Sequence, residues 1–212
     1  MYQFDKRIVM TLDAGGTNFV FSAMQANEEI ISPLHLPSNA NDLALCLETI
    51  ESGFRRIKDL LPESPAAISF AFPGPADYVN GVIGYLPNLK AFRGGVALGP
   101  FLKEKFGIPV FINNDGNLFT YGEAIGGTLP EINRLLAQAG STKQYKNLLG
   151  ITMGTGFGAG VVTDGKLHLG DNGSGGDIWV FRHKKHRHCI TEEGVGVSAV
   201  KRMYAEFSGD SK

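Results

Sequence analysis

Residues 11–18 read TLDAGGTN and residues 152–160 read TMGTGFGAG. Each glycine-rich turn follows a short apolar, β-branched run and leads into another one, so each is strand–turn–strand. This duplication constrains the fold more than any other feature. A Walker A loop requires a lysine after its second glycine, and neither turn has one. A dinucleotide fingerprint sets its glycines between a strand and a helix, whereas VVTDGK, a further strand, follows the second turn. Two readings remain: a pair of plain hairpins, or two turns whose backbone amides hold a polyphosphate from both sides.

The surrounding pattern repeats as well. Residues 7–13, 18–25 and 28–36 read as three successive strands. Residues 40–61 then carry Leu43, Cys46, Leu47, Ile50, Phe54, Ile57 and Leu61 at helical spacing, with Asn39 or Asn41 as the cap. Cys46 lies on that apolar face and reads as core. A strand at 66–72 ends in the turn PGP. A helix near 97–106, a strand at 108–113 and a helix from Asn117 to Ile125 follow. After a connecting helix at 129–141, strands at 147–153, 157–163 and 166–171 restate the opening, and a helix at about 195–207 closes the chain. The order predicts an α/β protein of two related halves, 1–127 and 128–212, the second incomplete.

Composition limits the partners. Twenty-eight of 212 residues are glycine, against a usual share of about 7%, and they cluster at the ends of apolar runs. The formal net charge is −1, which gives no basic excess to attract nucleic acid or an anionic membrane. No apolar run approaches the ~20 residues of a membrane helix. The N-terminus lacks the apolar stretch of a secretory signal, and Cys46 and Cys189 are too few for a disulfide framework. These features predict a cytoplasmic protein.

Asp13 ends the first strand beside the first turn. A carboxylate next to phosphates is repulsive unless a cation lies between them, so Asp13 implies Mg²⁺. Gly15, Gly16 and Thr17 in the first turn, and Gly154, Thr155 and Gly156 in the second, are the candidate phosphate-binding residues. Asp115, in INNDGN, follows an apolar strand. It suits either a general base at the carboxyl end of a parallel strand or a helix N-cap.

Taken in order, LDAGGTN, FPGPAD, LPNL, NNDGN and MGTGFGAG resemble the ROK sugar kinases (repressor, open reading frame and kinase family). The resemblance covers roughly residues 7–177. It implies the fold of the actin, hexokinase and heat-shock ATPases, built from RNase-H-like halves, and a cleft for ATP with a sugar site at its base. It makes Asp115 the catalytic aspartate and assigns sugar contacts to Asn88 and Asn114, with Pro73 and Gly74 shaping the wall. Homodimers are the family-based expectation.

The resemblance frays after residue 175. The family's GEIGH, its cysteine cluster and its CLE are replaced by GGDIWVFRHKKHRHCITEEGVG. Asp177 takes the place of a sugar-binding glutamate, and Val180 that of a zinc-binding histidine. Glu192 is taken for the final glutamate, with Thr191 and Glu193 adjacent. The usual zinc site is absent. His183, His186, His188 and Cys189 offer ligand chemistry, but Arg182, Lys184, Lys185 and Arg187 oppose a divalent cation, so the segment reads as an exposed basic loop. Family members also run substantially further, and the chain reads as truncated at its C-terminus. The expected activity is therefore ATP-dependent phosphorylation of a hexose or hexosamine. The alternatives are a non-enzymatic sugar sensor and an inactive truncated kinase; an actin-like or chaperone-like ATPase has no use for Asn88 and NND.

Overall fold

Alternation sets the first sheet. In β1 (Val9–Ala14), Met10 and Leu12 are buried while the residues between them are not. Antiparallel β2 (Asn18–Gln25) buries Phe19, Phe21 and Ala23 in the same period of two. The expected third strand at 28–36 is two pieces, β3 (Glu28–Glu29) and β4 (Leu34–Pro37), both paired with β2. Pro33 lies between them, where a residue without an N–H interrupts a ladder. The computed structural model describes residues 3–84, 86 and 90–209.

Helix α1 (Leu43–Leu60) covers this sheet with Cys46, Ile50, Phe54 and Ile57. Its cap is Asp42, whose carboxylate accepts from the Leu45 N–H at 3.1 Å. Neither Asn39 nor Asn41, the two asparagines expected as cap, holds that position, and Asn39 instead donates its side-chain amide to Thr49 Oγ1. Gly53 sits in mid-helix because a Cβ there would lie 2.4 Å from the Phe21 ring. Strand β5 (Ala67–Ala71) joins β1 in parallel, and the small hairpin β6 (Ala76–Asp77) and β7 (Val82–Ile83) follows. Helix α2 (Leu98–Phe106) then returns the chain to β8 (Val110–Asn113), parallel to β5. The sheet order is β3-β2-β1-β5-β8, with β4 beside β2. Its core is aromatic: Phe54 meets the Phe21 ring at 5.2 Å, Phe70 at 5.9 Å and Phe106 at 6.0 Å.

The chain divides into two compact units, Met1–Asn114 and Asp115–Lys212. The second unit opens with α3 (Asp115–Ile125) and α4 (Thr128–Gln138), then the meander β9 (Leu148–Met153), β10 (Phe157–Thr163) and β11 (Lys166–Leu167) in the order β11-β10-β9. Helix α3 lies against β9 and β10 at glycine distance. A Cβ at Gly116 would be 2.9 Å from the Ala159 backbone, and one at Gly150 would strike the Thr120 side chain. The unit ends with α5 (Glu192–Val195) and α6 (Val197–Ser208). No helix among the described residues is long and apolar enough to cross a membrane.

Candidate functional site

Parallel pairing sets one row of the first unit. Asp13 of β1 stands in register with Ala71 of β5, and Ala71 with Asn113 of β8. These are the carboxyl ends of three parallel strands, the edge where ligands bind open α/β sheets. The first glycine turn, Pro73–Gly74 and Asn114 follow directly from this row, and Asp115 comes next in the chain. Asn88 lies outside the described residues.

The first turn is tight. The Gly15 N–H donates to Asn18 O at 3.1 Å, and a Cβ on Gly15 would lie 2.8 Å from that same oxygen. Ser38 secures it from β4's end: its N–H donates to Thr17 O (2.9 Å) and its Oγ to Gly16 O (2.8 Å). Both Ser38 bonds use carbonyls of the turn and none of its amides, of which that of Gly15 is taken by Asn18 O. Gly16 has a different character. It has no positive φ, and a Cβ there would meet nothing within 4 Å. Asp13 is exposed beside the turn.

At the end of β5 the chain turns through Pro73 and Gly74, with a cis bond between Gly74 and Pro75. The Tyr78 hydroxyl donates to Phe72 O (2.9 Å), and a Cβ on Gly74 would come within 2.9 Å of that hydroxyl. After β8, the Asn114 N–H donates to Asn113 Oδ1 (2.8 Å). Asp115 opens α3, exposed, and accepts from the Gly116 N–H at 2.8 Å. A carboxylate in the first turn of a helix is favoured by the unsatisfied N–H groups there.

The second turn is built in the second unit. The Gly154 N–H donates to Gly156 O, and Val197 N–H donates back to Gly154 O, both at 2.9 Å. Glu192 docks on the turn from α5: its Oε2 accepts from the Phe157 N–H at 2.9 Å. A Cβ on Gly156 would lie 2.8 Å from the same oxygen. Gly154, like Gly16, has neither a positive φ nor an atom within 4 Å of where its Cβ would be. Asp177 precedes the short helical turn Ile178–Val180, its N–H donating to Ser174 O at 3.1 Å.

In the basic loop, His183 Nδ1 accepts from the N–H groups of Lys185 (3.1 Å) and His186 (3.0 Å), and the two imidazoles stack at 5.0 Å. His183 N–H donates to Cys189 O. Among the described residues no three His, Cys, Asp or Glu side chains gather closely enough to hold a metal ion.

Sequence reasoning missed two participants. Ser38 falls in the stretch PSNAND, where a helix cap was the expectation. The attachment of Glu192 to the second turn spans 35 residues and has no local signature.

The residues that would hold Mg²⁺ fit the ion. Asp13 is an oxygen donor beside a turn of amides, the combination that suits a magnesium ion shared with phosphates.

Comparison with known proteins supplies the remaining findings. The sequence model of the ROK family matches residues 9–190. The N-acetyl-D-glucosamine kinase of Vibrio cholerae is 30% identical over 170 residues, which cover 80% of this chain and 51% of that protein. A glucokinase from Parabacteroides distasonis is similar in structure, with a TM-score of 0.89 and 65% identity over 100% of this chain and 60% of that one. A ROK glucokinase from Streptomyces griseus, solved with glucose and AMPPNP, shares the fold at 18% identity and a TM-score of 0.70, covering 95% of this chain and 62% of that one. The α/β fold of the actin-like class, in two related halves, is thereby borne out. The chain spans about half the length of the curated relatives that it matches.

Proposed function

This chain belongs to the ROK family, and from that premise we propose that it is the larger part of an ATP-dependent sugar kinase acting on a hexose or hexosamine. The observation that carries the reading is the pair Gly16 and Gly154. Each sits in one of the two turns, and neither backbone angle nor packing requires glycine there. A residue without a Cβ at an open turn lets a ligand approach the backbone closely.

The roles follow from chemistry. Amides of Gly16 and Thr17 in the first turn, and of Thr155 and Gly156 in the second, donate to phosphate oxygens, while Gly15 and Gly154 use theirs to hold the turns closed. Asn88, Asn114 and Asp177 hydrogen-bond sugar hydroxyls, with Pro73 and Gly74 as the wall. Glu192 is a further candidate for a sugar contact. Asp115 accepts the proton of the attacking hydroxyl as the new O–P bond forms and the bond from the γ-phosphorus to the bridging oxygen breaks, releasing ADP. Asp13 would hold a Mg²⁺ ion, which would supply positive charge against the phosphates. A cytoplasmic location and a homodimer belong to the same reading.

Titration of the chain with glucose, with N-acetylglucosamine and with MgATP, followed by a coupled ADP assay, tests it. Sugar binding and turnover are expected. Asp115→Asn lowers turnover by about 10²–10⁴-fold, the range of a lost general base, and leaves sugar affinity within about twofold. Retained turnover in Asp115→Asn removes that residue from its role. The share of the relatives' length that this chain covers favours a second reading, a sugar-binding but inactive partial kinase. Sugar binding without turnover selects it.

A further inference from the structure

The segment from Phe181 to Thr191 carries Arg182, Lys184, Lys185 and Arg187 within six residues, and the repulsion among them favours an open loop. Instead it folds back on itself. The N–H (2.7 Å) and Oγ1 (2.9 Å) of Thr191 donate to Phe181 O, the His183 N–H donates to Cys189 O (2.9 Å), and the Cys189 N–H donates to His186 O (3.0 Å). One side chain braces the turn from inside. The four cationic side chains are exposed, whereas His183 is half-buried. Its Nδ1 accepts two amides at once, those of Lys185 and His186.

The same ring reaches the next element. A Cβ on Gly194 of α5 would collide with Cδ2 and Nε2 of His183, so the imidazole edge lies directly on the α5 backbone. The Glu193 carboxylate ties α5 to the loop by accepting from the Ile190 N–H (2.7 Å), and the Glu193 carbonyl accepts from Arg202 of α6 (2.8 Å). Glu192 holds the Phe157 N–H of the second turn. One path of contacts, all within the second unit, runs from the loop through His183 and Gly194 to Glu192 and that turn. A neutral imidazole whose Nδ1 accepts carries its proton on Nε2. Neither nitrogen then offers a metal ion a lone pair.

We propose that the neutral imidazole of His183 is the fastener of this loop and, through it, a positioning residue for the second glycine turn. It holds residues 181–191 closed, seats α5 and keeps Glu192 on the Phe157 amide. The consequence for phosphate binding rests on the kinase reading; the fastening itself does not. The role needs an acceptor at the Nδ1 position rather than an imidazole as such. Asparagine puts Oδ1 where Nδ1 stands and Nδ2 where Cδ2 stands, so it keeps both contacts. Leucine has similar bulk and no acceptor, so it leaves the Lys185 and His186 amides without their partner.

Residue-resolved hydrogen exchange on the 212-residue chain tests it. His183→Leu should lower protection of the Lys185, His186 and Phe157 amides by at least about tenfold, the effect of a lost hydrogen-bond partner. Met10 and Leu12 in β1 should keep their protection. His183→Asn should hold the three amides within about threefold of the parent. Nitrogen NMR of the parent imidazole should show a proton on Nε2 and none on Nδ1, and EDTA should change neither that signal nor the exchange. In a parallel MgATP titration, His183→Leu should bind at least about fivefold more weakly and His183→Asn within about twofold of the parent. Phe157 protection retained in His183→Leu would overturn the proposal. So would its loss in His183→Asn or on addition of EDTA, and these two outcomes decide even where leucine unfolds the second unit. Unchanged MgATP affinity with the Phe157 amide released would remove the role at the turn. A parent that binds no MgATP yet shows this exchange pattern keeps the fastener and loses the kinase.

Discussion

Strand β1 and strand β9 have the same length, the same following glycine turn and the same antiparallel neighbour, yet one is the centre of a sheet and the other its edge. In the first unit the meander is followed by α1, β5, α2 and β8, which bury one aromatic core around Phe54. In the second unit few apolar side chains are buried: Leu129, Ala159, Val162 and Ala199 among the described residues. Its packing depends instead on glycines that bring α3 against the sheet. A strand's burial is therefore decided by the sequence that follows its meander, not by the meander itself.

Core truncation tests that contrast most strongly. Phe54→Ala removes a fully buried ring that touches three others and should cost about 3–5 kcal/mol in chemical denaturation. Ile151→Ala in the second unit should change stability by less than about 0.5 kcal/mol, as for a surface position. Equal losses would break the distinction between a closed core and an open face.

Glycine substitution should separate the units next. Gly116→Ala puts a methyl group 2.9 Å from the Ala159 backbone, which cannot swing aside. A loss of about 1–3 kcal/mol is expected, confined to the second unit by residue-resolved hydrogen exchange. Gly53→Ala, pressed against Phe21, should act on the first unit instead.

Much of this architecture was legible in the sequence. Apolar runs bounded by turns gave β2 and β10 at their observed bounds, and the helical spacing of Cys46, Ile50, Phe54 and Ile57 gave α1 and its buried face. Local pattern failed where the deciding partner is remote. Asp42, not a neighbouring asparagine, caps α1 because backbone geometry selects one of several competent residues. The 166–171 segment is strand only over Lys166–Leu167, with one further bond from the His168 N–H to Val161 O, and Gly170 beyond it adopts φ +68°. In the site, the row Asp13–Ala71–Asn113 follows from strand–turn spacing, so Asp13 and Asn114 were visible. Ser38's hold on the first turn and Glu192's on the second depend on tertiary approach, and no spacing rule announces them.

The smallest expected difference is in the two thiols. Burial pushes the Cys46 thiol up to about 11, from 9.0. Its unfolded form therefore releases the proton first, so the stability it contributes is fully present below about pH 9 and falls as pH rises towards about 11. The difference in stability between the parent and Cys46→Ala should shift in that window. Cys189, half-exposed in the second unit, should react with a thiol reagent under native conditions, with Cys46 reacting only on unfolding.

Native-state hydrogen exchange on the unmodified chain, comparing β1 with β9, is the most direct measurement. Amides of Met10 and Leu12 should exchange only through global unfolding. The β9 amides that point away from β10 should exchange at least about a thousandfold faster, the ratio implied by a global stability on the order of 5 kcal/mol. Equal protection along β1 and β9 in the chain by itself would contradict the account.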